Sequence, residues 1–432
     1  MRGFSEYVQT LKTILRSALA DVSGFRASDV VAAALDGQPG RELRRLVSLE
    51  ERRLAGAFFT GSEIAKWIVQ EHLADVPPNV TICDPACGAG DLLVAASDRL
   101  PVSTNLATTL ATWARQLHGW DIHEEFVEVT KMRLILAAIR RGAKHRPGPK
   151  LANLTSLFTH IVRGNGLAAN LDEIDVLLMN PPYGACAAPS DCAWATGSVS
   201  EAAVFTAELA RKVPEKTKIV SILPDVLRTG SRYAKWRESL ERDVQIDSVE
   251  VIGLFDSWTD VDVFVVSGKR VATRSNAPAA AWWPEHSECG RVADFFDVHV
   301  GPVVPHRDPN TGPWRRFINA RLVPAWQRYD ATGAPSRRFD RRTFMPPFVV
   351  IRRTSRPDDD RNRAIGTIVT GDKAVAVENH LLVALPRANG IDACHELLEI
   401  LRADATSAWL NTRIRCRHLT VGAVSDIPWP GR

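Results

Sequence analysis

Asn180-Pro181-Pro182-Tyr183 is the segment of the chain whose residue types are best suited to chemistry. It follows the apolar run Ile174–Met179, which is typical of a strand buried on both faces. Two consecutive prolines cannot continue a central strand, so the chain must leave the sheet at this point. The sequence therefore predicts an amide, a rigid carbonyl and an aromatic ring at the carboxyl end of a strand, where open α/β sheets bind their ligands.

These groups suit an exocyclic amino group on a planar ring, such as N6 of adenine, whose lone pair is delocalised into the ring. The side-chain oxygen of Asn180 and the carbonyl of Pro181 can each accept a hydrogen bond from one N–H group of this amine. That arrangement favours a pyramidal nitrogen whose lone pair faces an electrophile. Tyr183 can stack on a base taken out of its duplex. For these residues alone, an ordinary strand-ending turn is the alternative, because Asn-Pro commonly opens turns.

The composition indicates a globular protein with two or three domains. The chain has 432 residues, 45% of them hydrophobic, and a mean hydropathy of -0.10. No apolar run approaches the length of a transmembrane span and the N-terminus is amphipathic, so we expect a cytoplasmic protein without a membrane partner. The seven cysteines have no paired C-x-x-C spacing, which suggests neither a zinc site nor a disulfide framework. Cys83 and Cys87 are predicted to be buried small residues.

Charge is distributed unevenly along the chain. Residues 1–300 carry 33 Lys and Arg against 37 Asp and Glu, a net charge of -4, whereas residues 301–432 carry 21 against 13, a net charge of +8. Of those 21 basic residues, 20 are Arg. An Arg-rich segment favours contact with phosphates and guanine edges, whereas a solvated face usually mixes Lys with Arg.

A glycine-containing turn follows the first predicted strand. Val80–Cys83 is predicted as that strand, Asp84–Asp91 as the turn and Leu92–Leu100 as the next helix; the glycines let a ligand approach the backbone closely. Because the turn lacks G-x-x-x-x-G-K-[ST], a phosphate-cradling loop is not indicated. The strand Leu117–Asp121 ends in a carboxylate ahead of the helix Glu124–Arg140, where it can bind ribose hydroxyls, cap the helix, or do both.

The segments around this unit are predicted as follows. Residues 1–50 are helical, with a second helix starting near Ser28 and a turn at Gly37–Gly40 before a helix at Leu43–Leu54. Thr60 or Ser62 caps a helix that runs from Glu63 to His72, leaving N–H groups for a carboxylate.

The predicted fold is α/β, a doubly wound domain of five parallel strands with helices, finished by a hairpin. The C-terminal part lacks this alternation and is expected to be a basic, mainly β module with one long helix at about Ile391–Trp409. The domain boundaries that we predict are an N-terminal helical segment at 1–50, a catalytic domain at 51–273, a linker at 274–290 and a target recognition domain at 291–432.

Taken together, these motifs resemble the amino-group DNA methyltransferases that act on N6 of adenine, in the motif order of the γ class. In that order the cofactor motifs come first, then N-P-P-Y, then the target recognition domain. The resemblance covers residues 50–270 closely and 290–432 loosely. It implies a Rossmann-like fold, S-adenosylmethionine as cofactor, double-stranded DNA as partner and a place in a restriction–modification system.

The resemblance also assigns roles to residues of this sequence. Asn180, Pro181, Pro182 and Tyr183 match the catalytic tetrapeptide, and Ser221–Pro224 and Phe255 fall where the family has late motifs. The cofactor-binding residues that it implies lie in the four preceding motifs: Phe59, Thr60, Asp84, Ala86, Gly88, Gly90, Asp121, Ile122 and Asn165. Family members often have Asp where Asn165 stands, to hold the adenine amino group of the cofactor, and an Asn carboxamide oxygen can accept the same bond.

The tail, from Glu378–Leu382 to Ile427–Pro430, is similar to recognition domains of bacterial restriction–modification enzymes. The sequence contains no convincing nuclease motif, so any companion endonuclease is expected to be a separately encoded chain.

Three functions compete at this point. A DNA adenine methyltransferase accounts for the cofactor unit, N-P-P-Y and the Arg-rich tail. A methyltransferase for a protein glutamine or a ribosomal RNA amine shares the catalytic motif, but the upstream Phe-Phe-Thr and the large basic domain disfavour it. A non-catalytic Rossmann-type module that reads DNA leaves Asn180–Tyr183 unexplained.

Overall fold

The computed structural model describes residues 2–20, 29–54, 56–145, 151–255, 261–272, 280–283, 290–357 and 362–430, which fall into two units. Unit 1 comprises Met1–Leu227, Tyr233–Thr259 and Val263–Ala280, and unit 2 comprises Arg228–Arg232, Asp260–Asp262 and Ala281–Arg432. The helix start near Ser28, the end of the catalytic domain near Thr273 and most of the proposed linker lie outside the described residues.

Unit 1 is built on a seven-stranded sheet in the order β3-β2-β1-β4-β7-β9-β8. Its first five strands are parallel and β9 runs antiparallel to β7. The strands of unit 1, with a separate two-stranded ribbon formed by β5 and β6, are β1 Ile82–Asp84, β2 Leu117–Asp121, β3 Ile161–Arg163, β4 Val176–Met179, β5 Ala185–Ala187, β6 Ser198–Ser200, β7 Lys218–Pro224, β8 Val244–Leu254 and β9 Asp262–Arg270.

Helices cover this sheet and extend N-terminal to it. Those described are α1 Ser5–Ala20, α2 Asp29–Leu35, α3 Gln38–Leu46, α4 Leu49–Leu54, α5 Ser62–His72, α6 Asp91–Ser97, α7 Leu106–Gln116, α8 Glu124–Arg140, α9 Leu151–Thr155, α10 Glu201–Lys212, α11 Asp225–Thr229 and α12 Ala234–Asp243. Helix α8 contacts the sheet and the helices α1, α2 and α6, which explains why it is buried on nearly every side instead of along one stripe. The predicted doubly wound α/β fold is confirmed, and β2 and α8 have the predicted bounds.

Three local predictions for unit 1 are wrong. Residues 37–40 do not form a turn before a helix at 43, because α3 already begins at Gln38; its N-cap, Gly37, has φ of 73° and Pro39 lies in the first turn, where its missing N–H costs nothing. Neither Thr60 nor Ser62 caps α5, since the N-cap residue is Gly61 and no side chain makes the cap bond. Residues 43–54 are divided between α3 and α4.

Unit 2 contains a five-stranded sheet in the order β10-β17-β14-β15-β12 and a three-stranded sheet in the order β13-β11-β16. Its strands are β10 Phe296–Val300, β11 Trp314–Ile318, β12 Arg328–Asp330, β13 Ser336–Arg338, β14 Phe348–Arg352, β15 Gly366–Thr370, β16 Val375–Val377 and β17 Leu381–Pro386. Its helices are α13 Val292–Phe295, α14 Gly390–Arg402, α15 Asp404–Arg413 and α16 Val421–Ser425. Side chains from both faces of the larger sheet form two apolar clusters.

The single long helix predicted at about 391–409 is wrong, because the chain is extended at Ala403 between α14 and α15. Leu397, Leu401 and Leu410 are all buried in one cluster. In an unbroken helix Leu410 would lie about 180° around the axis from Leu401, at roughly 100° per residue. The break therefore lets both helices bury their leucines against the same sheet. Among the described residues, no helix is both long and apolar enough to cross a membrane.

Candidate active site

The loops that follow β1, β2, β3 and β4 lie at the carboxyl edge of the parallel sheet. The strand order reverses at β1, which has β2 on one side and β4 on the other. Such a reversal leaves a crevice outside the carboxyl ends of the strands, where ligands of open α/β sheets bind. All the residues that the sequence assigned to this site, apart from Phe59 and Thr60, come from these four loops or from the last residues of the strands before them.

Asn180 directly follows β4, whose four residues are all buried, and its side-chain amide is held in one orientation. Its Nδ2 donates to the Oγ1 of Thr60 at 3.0 Å and to the carbonyl of Phe58 at 3.4 Å. A carbonyl can only accept, so the amino side of the amide must face Phe58. The Oδ1 atom consequently points the other way; it is buried and has no hydrogen-bond partner in the described part of the chain. Since a buried acceptor without a donor is costly, this atom is suited to a donor on a ligand.

The segment 56–60 packs directly against the proline pair. Gly56 has φ of 60°, and a Cβ built on it would lie 2.6 Å from the Cβ of Pro182. Any larger residue would therefore displace the N-P-P-Y segment or the segment that orients Asn180. The glycine at this position is required by close approach as well as by its left-handed conformation.

Tyr183 is half-buried and its hydroxyl has no partner among the described residues. Burial raises the pKa of this phenol above its usual value, so the hydroxyl stays protonated. Its ring lies edge-on to Phe255, with 5.9 Å between ring centroids and 70° between planes. The two rings form an aromatic wall beside Asn180, and Phe255 comes from the end of β8, about 70 residues further along the chain.

The glycine loop after β1 is hydrogen-bonded to the carboxyl end of β2. The N–H of Gly88 donates to Asp121 Oδ2 at 3.0 Å, and the N–H of His123 donates to Asp121 Oδ1 at 2.8 Å. The N–H of Ala86 donates to Asp84 Oδ1 at 3.1 Å. Gly88 and Gly90 have φ of 51° and 83°, so the loop needs residues that tolerate the left-handed region.

Three carboxyl groups, Asp84, Asp91 and Asp121, lie close enough to interact around this loop. The pKa of Asp84 is raised to about 8, mainly by burial; the bond from Ala86 opposes this rise, and the negative charges of Asp121 and Asp91 contribute to it. Burial likewise raises the pKa of Asp121 to about 6, against the effect of its two backbone donors. A cation placed beside the loop would relieve this repulsion.

Asp91 was missed as a structural residue in the sequence analysis. Its Oδ2 accepts from the N–H of Gly61 at 2.9 Å, and its Oδ1 lies 2.8 Å from the guanidinium of Arg133, which is fully buried. Arg133 also donates to the carbonyls of Ala34, Ala89 and Leu35. This pair joins the end of α2, the glycine loop and the start of α5. No local pattern signals it, because the partners are 42 residues apart in the chain.

The remaining predicted cofactor residues lie on the same edge. Asn165 is exposed and its Oδ1 accepts the N–H of Leu167 at 3.0 Å, so the oxygen proposed for the adenine amino group already has one donor. Gly166, the next residue, is packed so tightly that a Cβ would lie 1.8 Å from the carbonyl oxygen of Pro85. Ile122 follows Asp121 and is 55% exposed, which offers an apolar surface for a flat ring. Phe59 lies over Gly88, 3.0 Å from the position of its missing Cβ.

Unit 2 carries pairs of arginine and aromatic side chains. In the β11–β13 ladder Trp314 is opposite Arg338, whose guanidinium carbon lies 5.5 Å from the centre of the Trp314 ring. Three further pairs lie in the same stretch of the chain: Arg337 with Phe317, Arg341 with Phe339 and Arg342 with Phe344. Trp314 is 63% exposed, which is unusual for the largest apolar side chain. An exposed indole with a cation on its face is typical of a surface that contacts a polyanion with aromatic bases.

Residues 43–224 match the family model described as N-6 DNA Methylase. No curated protein sequence matches the chain. Among solved structures, the type IIL restriction-modification enzyme MmeI in complex with DNA has 12% identity and a TM-score of 0.55, over 90% of this chain and 70% of that one.

Two further structures are less similar. The type IIG restriction endonuclease BpuSI has 14% identity and a TM-score of 0.44, over 92% of this chain and 61% of that one. A protein from Listeria monocytogenes described as a class I S-adenosylmethionine-dependent methyltransferase has 14% identity and a TM-score of 0.38, over 65% and 92% of the two chains. At these identities the match to MmeI shows a shared fold and nothing finer, and the chain spans less than two thirds of BpuSI.

Proposed function

We propose that this protein, whose residues 43–224 match the family model for N-6 DNA methylases, is a member of that family and transfers the methyl group of S-adenosylmethionine to N6 of an adenine extruded from duplex DNA. The observation that supports this most directly is Asn180, whose buried Oδ1 has no partner in the described residues and whose amide cannot turn over without losing the bond to Phe58. An uncharged, fixed acceptor is what an aromatic amine needs when its nitrogen becomes positive.

The residues around the glycine loop fit the proposed cofactor. S-adenosylmethionine supplies an electrophilic methyl group on a positively charged sulfur. Asp121, whose pKa of about 6 leaves it ionised at pH 7, provides negative potential beside the loop, which favours a cationic ligand. Each oxygen of the Asp121 carboxylate accepts one backbone N–H, from Gly88 or His123, and has a lone pair left to accept a hydrogen bond from a ribose hydroxyl. Ile122 offers an apolar face to the purine. Phe59, Thr60, Asp84, Ala86, Gly88, Gly90 and Asn165 complete the set that we propose for binding.

At the catalytic segment, the protein orients the amino group of the adenine and accepts its hydrogen bonds, and no side chain acts as a base. Asn180 Oδ1 and the Pro181 carbonyl accept hydrogen bonds from the two amino N–H groups, Tyr183 stacks on the purine, and Phe255 lies edge-on to Tyr183. Because the Tyr183 hydroxyl is buried and its pKa is raised, it does not take up the proton, which leaves to water after methyl transfer.

Unit 2 is proposed as the target recognition domain. Its exposed Trp314–Arg338 pair and the neighbouring arginines give it a cationic, aromatic surface, and residues 301–432 carry a net charge of +8. We propose that the protein is the modification enzyme of a restriction–modification system whose endonuclease is separately encoded. A protein glutamine would meet the same oriented acceptor at Asn180, but it does not account for this surface. A ribosomal RNA is also a polyanion, and the match of residues 43–224 to the N-6 DNA methylase model favours DNA over it.

The test is methylation of a random duplex library with S-adenosylmethionine, read by base-resolution sequencing. The proposed function predicts methyl groups at N6 of adenines within one recurrent sequence, and none with Asn180→Ala. Methylation of cytosine, or of a glutamine-containing protein extract in preference to DNA, would overturn it.

A further inference from the structure

A cavity of about 550 Å³ lies within unit 2, beside one of its arginine–aromatic pairs. Phe317, which has the Arg337 guanidinium over its ring, forms part of the cavity wall. The lining also includes the charged side chains of Arg321, Arg352 and Glu378. The cavity therefore adjoins a part of unit 2 that we assign to DNA binding, and it contains an acid as well as cations.

Glu378, which directly follows β16, is held in one orientation by the backbone around it. Its main-chain N–H donates to the carbonyl of Ile318 at 3.0 Å, and Gly301 packs so closely that a Cβ there would collide with the Glu378 carbonyl. The side-chain Oε2 accepts from the N–H of Ala320 at 3.2 Å. Its Oε1 makes no hydrogen bond or ion pair with any residue that the structure describes. One carboxylate oxygen is thus left for a donor on a ligand.

Arg352 lines the same cavity and does not pair with Glu378. Its Nη2 donates to the carbonyl of Val323 at 3.3 Å, and its Nε is buried without a partner in the described part of the chain. Each of the two side chains is therefore bonded to the backbone, and among the described residues no ion pair joins them. The space between the two charges is open to a polar group of a ligand.

A free carboxylate on a surface that binds DNA opposes the phosphates, so it lowers the affinity for any duplex. Base edges supply the donor that such a group needs. In the major groove, a glutamate accepts from N4 of cytosine, and an arginine donates to O6 and N7 of guanine. Adenine also presents an amino group, but its N7 acceptor lies beside that group and repels a second carboxylate oxygen. A G·C pair therefore fits an unpaired Glu and Arg that share one cavity.

We propose that Glu378 determines sequence specificity by accepting, through Oε1, a hydrogen bond from N4 of a cytosine in the major groove of the recognised sequence. Arg352 donates to the guanine of the same base pair. The carboxylate lowers affinity for every duplex and raises selectivity for one base pair.

This assignment rests on the proposed function, because its readout is the sequence in which the protein methylates adenine. Full-length wild type, Glu378→Gln and Arg352→Gln are each given the random duplex library, and the methylated sequences are read at base resolution. Glu399→Gln is the matched control, since Glu399 is an exposed acid on α14 and its replacement removes the same charge. Folding is checked by thermal melting and cofactor affinity by calorimetry.

In Glu378→Gln, we expect the amide oxygen to keep the bond from Ala320 and the amino group to face the base, so that a donor replaces the acceptor. One C of the recognised sequence should lose its selectivity, and T, whose O4 accepts, should be admitted there. Affinity for a duplex with the wild-type sequence should fall about 5- to 150-fold. Arg352→Gln should relax the same base pair. All other positions and cofactor affinity should be unchanged, and Glu399→Gln should select the wild-type sequence.

A second measurement needs only the wild type and decides the matter if the variants fail to fold. Each cytosine of a methylated duplex is replaced in turn by N4-methylcytosine. This base still pairs with guanine, but it carries a methyl group in place of the hydrogen that faces the major groove. One replacement should weaken binding by a similar factor, at the position that Glu378→Gln relaxes.

A wild-type recognition sequence without a G·C pair would overturn the assignment, as would an unchanged sequence in folded Glu378→Gln. Equal loss of selectivity at every position, or a loss that Glu399→Gln reproduces, would make the role of Glu378 structural or purely electrostatic and overturn it as well. Tolerance of N4-methylcytosine at every cytosine would have the same consequence. Failure of the wild type to methylate any duplex would refute the proposed function itself, a result distinct from these.

Discussion

At the scale of single residues, the orientation of one amide decides what the candidate site can do. Asn180 donates both of its side-chain N–H groups to Thr60 and Phe58, and its side-chain oxygen is left available to a ligand. The same residue type at the end of a strand would be a simple turn former if its oxygen bonded the following backbone, as that of Asn165 does with Leu167. The hydrogen-bond partners therefore distinguish the two asparagines, although both follow strands.

Asn180→Ala should abolish turnover while leaving cofactor and DNA affinity nearly intact, because the lost bond strengthens only as the amine becomes positive. Removing one such oriented group typically costs about 10²–10³ in rate. Asn180→Asp should retain part of the activity, since a carboxylate still accepts. Single-turnover methyl transfer to a methylatable duplex measures both, and a near wild-type rate for Asn180→Ala means that the catalytic site lies elsewhere.

Asp121 should make cofactor binding depend on pH. We propose that its carboxylate accepts hydrogen bonds from the ribose hydroxyls. With a pKa of about 6 in the cofactor-free protein, that carboxylate is present above pH 6 and is lost as the pH falls through that value. Affinity for S-adenosylmethionine, measured by calorimetry between pH 5 and 8, should therefore decline on acidification.

In the Asp121→Asn variant that decline should be absent and binding at pH 7.5 weaker. Asp84, whose pKa is about 8, also titrates near this range, so Asp84→Asn is the control. If the decline persists in Asp121→Asn and disappears in Asp84→Asn, the dependence belongs to Asp84. The free energy of unfolding should depend on pH in the opposite direction from cofactor affinity, because both acids have raised pKa values in the folded state. Their contribution to stability is full below about pH 4 and is lost as the pH rises toward 6 for Asp121 and 8 for Asp84.

At the scale of elements, the glycine loop is held by helices on both sides of it. Thr130 of α8 donates to the carbonyl of Gly88, and a Cβ on Gly90 would lie 2.7 Å from the Thr130 side chain. Arg133, one turn further along α8, contacts the end of α2 and the loop. The N-terminal helices thus support the loop after β1.

Arg133→Met should lower the free energy of unfolding by about 3–5 kcal/mol, because it leaves the buried Asp91 carboxylate without its countercharge. Adding Asp91→Asn should restore part of this loss, since the uncompensated charge is then removed. Arg140→Met, an exposed position on the same helix, is the control and should change little. Denaturant unfolding of the wild type, these three variants and Asp91→Asn alone measures the coupling, and its absence would contradict the role assigned to the pair.

At the scale of the whole molecule, the two proposed tasks are assigned to different units. Methyl transfer is assigned to unit 1, whose residues include every member of the candidate active site, and target recognition to unit 2. Cutting the chain near Thr273 is a poor test of this division. Arg228, which belongs to unit 2 and is 1% exposed, donates to the carbonyls of Trp282 and Thr412, and the cut would remove both acceptors.

Substitutions in the full-length chain test the division better. Arg338→Gln should weaken duplex binding and reduce the salt slope by about 1, because one phosphate contact is lost. Trp314→Ala should weaken binding with an unchanged slope, since the indole carries no charge. Neither should alter cofactor affinity. Arg387→Gln, an exposed arginine paired with Asp297, is the matched control. Equal duplex affinity in all three variants would refute the assignment of this surface.

The sequence by itself determined the order of strand, turn and helix in unit 1 and the motifs at the strand ends. The β2 strand and α8 have the predicted bounds because their signals are local: an apolar run, a carboxylate at its end and a helical periodicity. Cys83 and Cys87 are buried as predicted, for the same reason.

Only the tertiary structure decided which residues meet across the chain. Thr60 contacts Asn180 and Gly56 packs on Pro182, although about 120 residues separate the partners in the sequence. Arg133 likewise donates to the carbonyl of Ala34. The break at Ala403 likewise follows from the sheet against which Leu401 and Leu410 are buried. Each of these features depends on contacts between distant residues, whose free energy exists only once the chain is folded, so no local pattern of residue types can predict them.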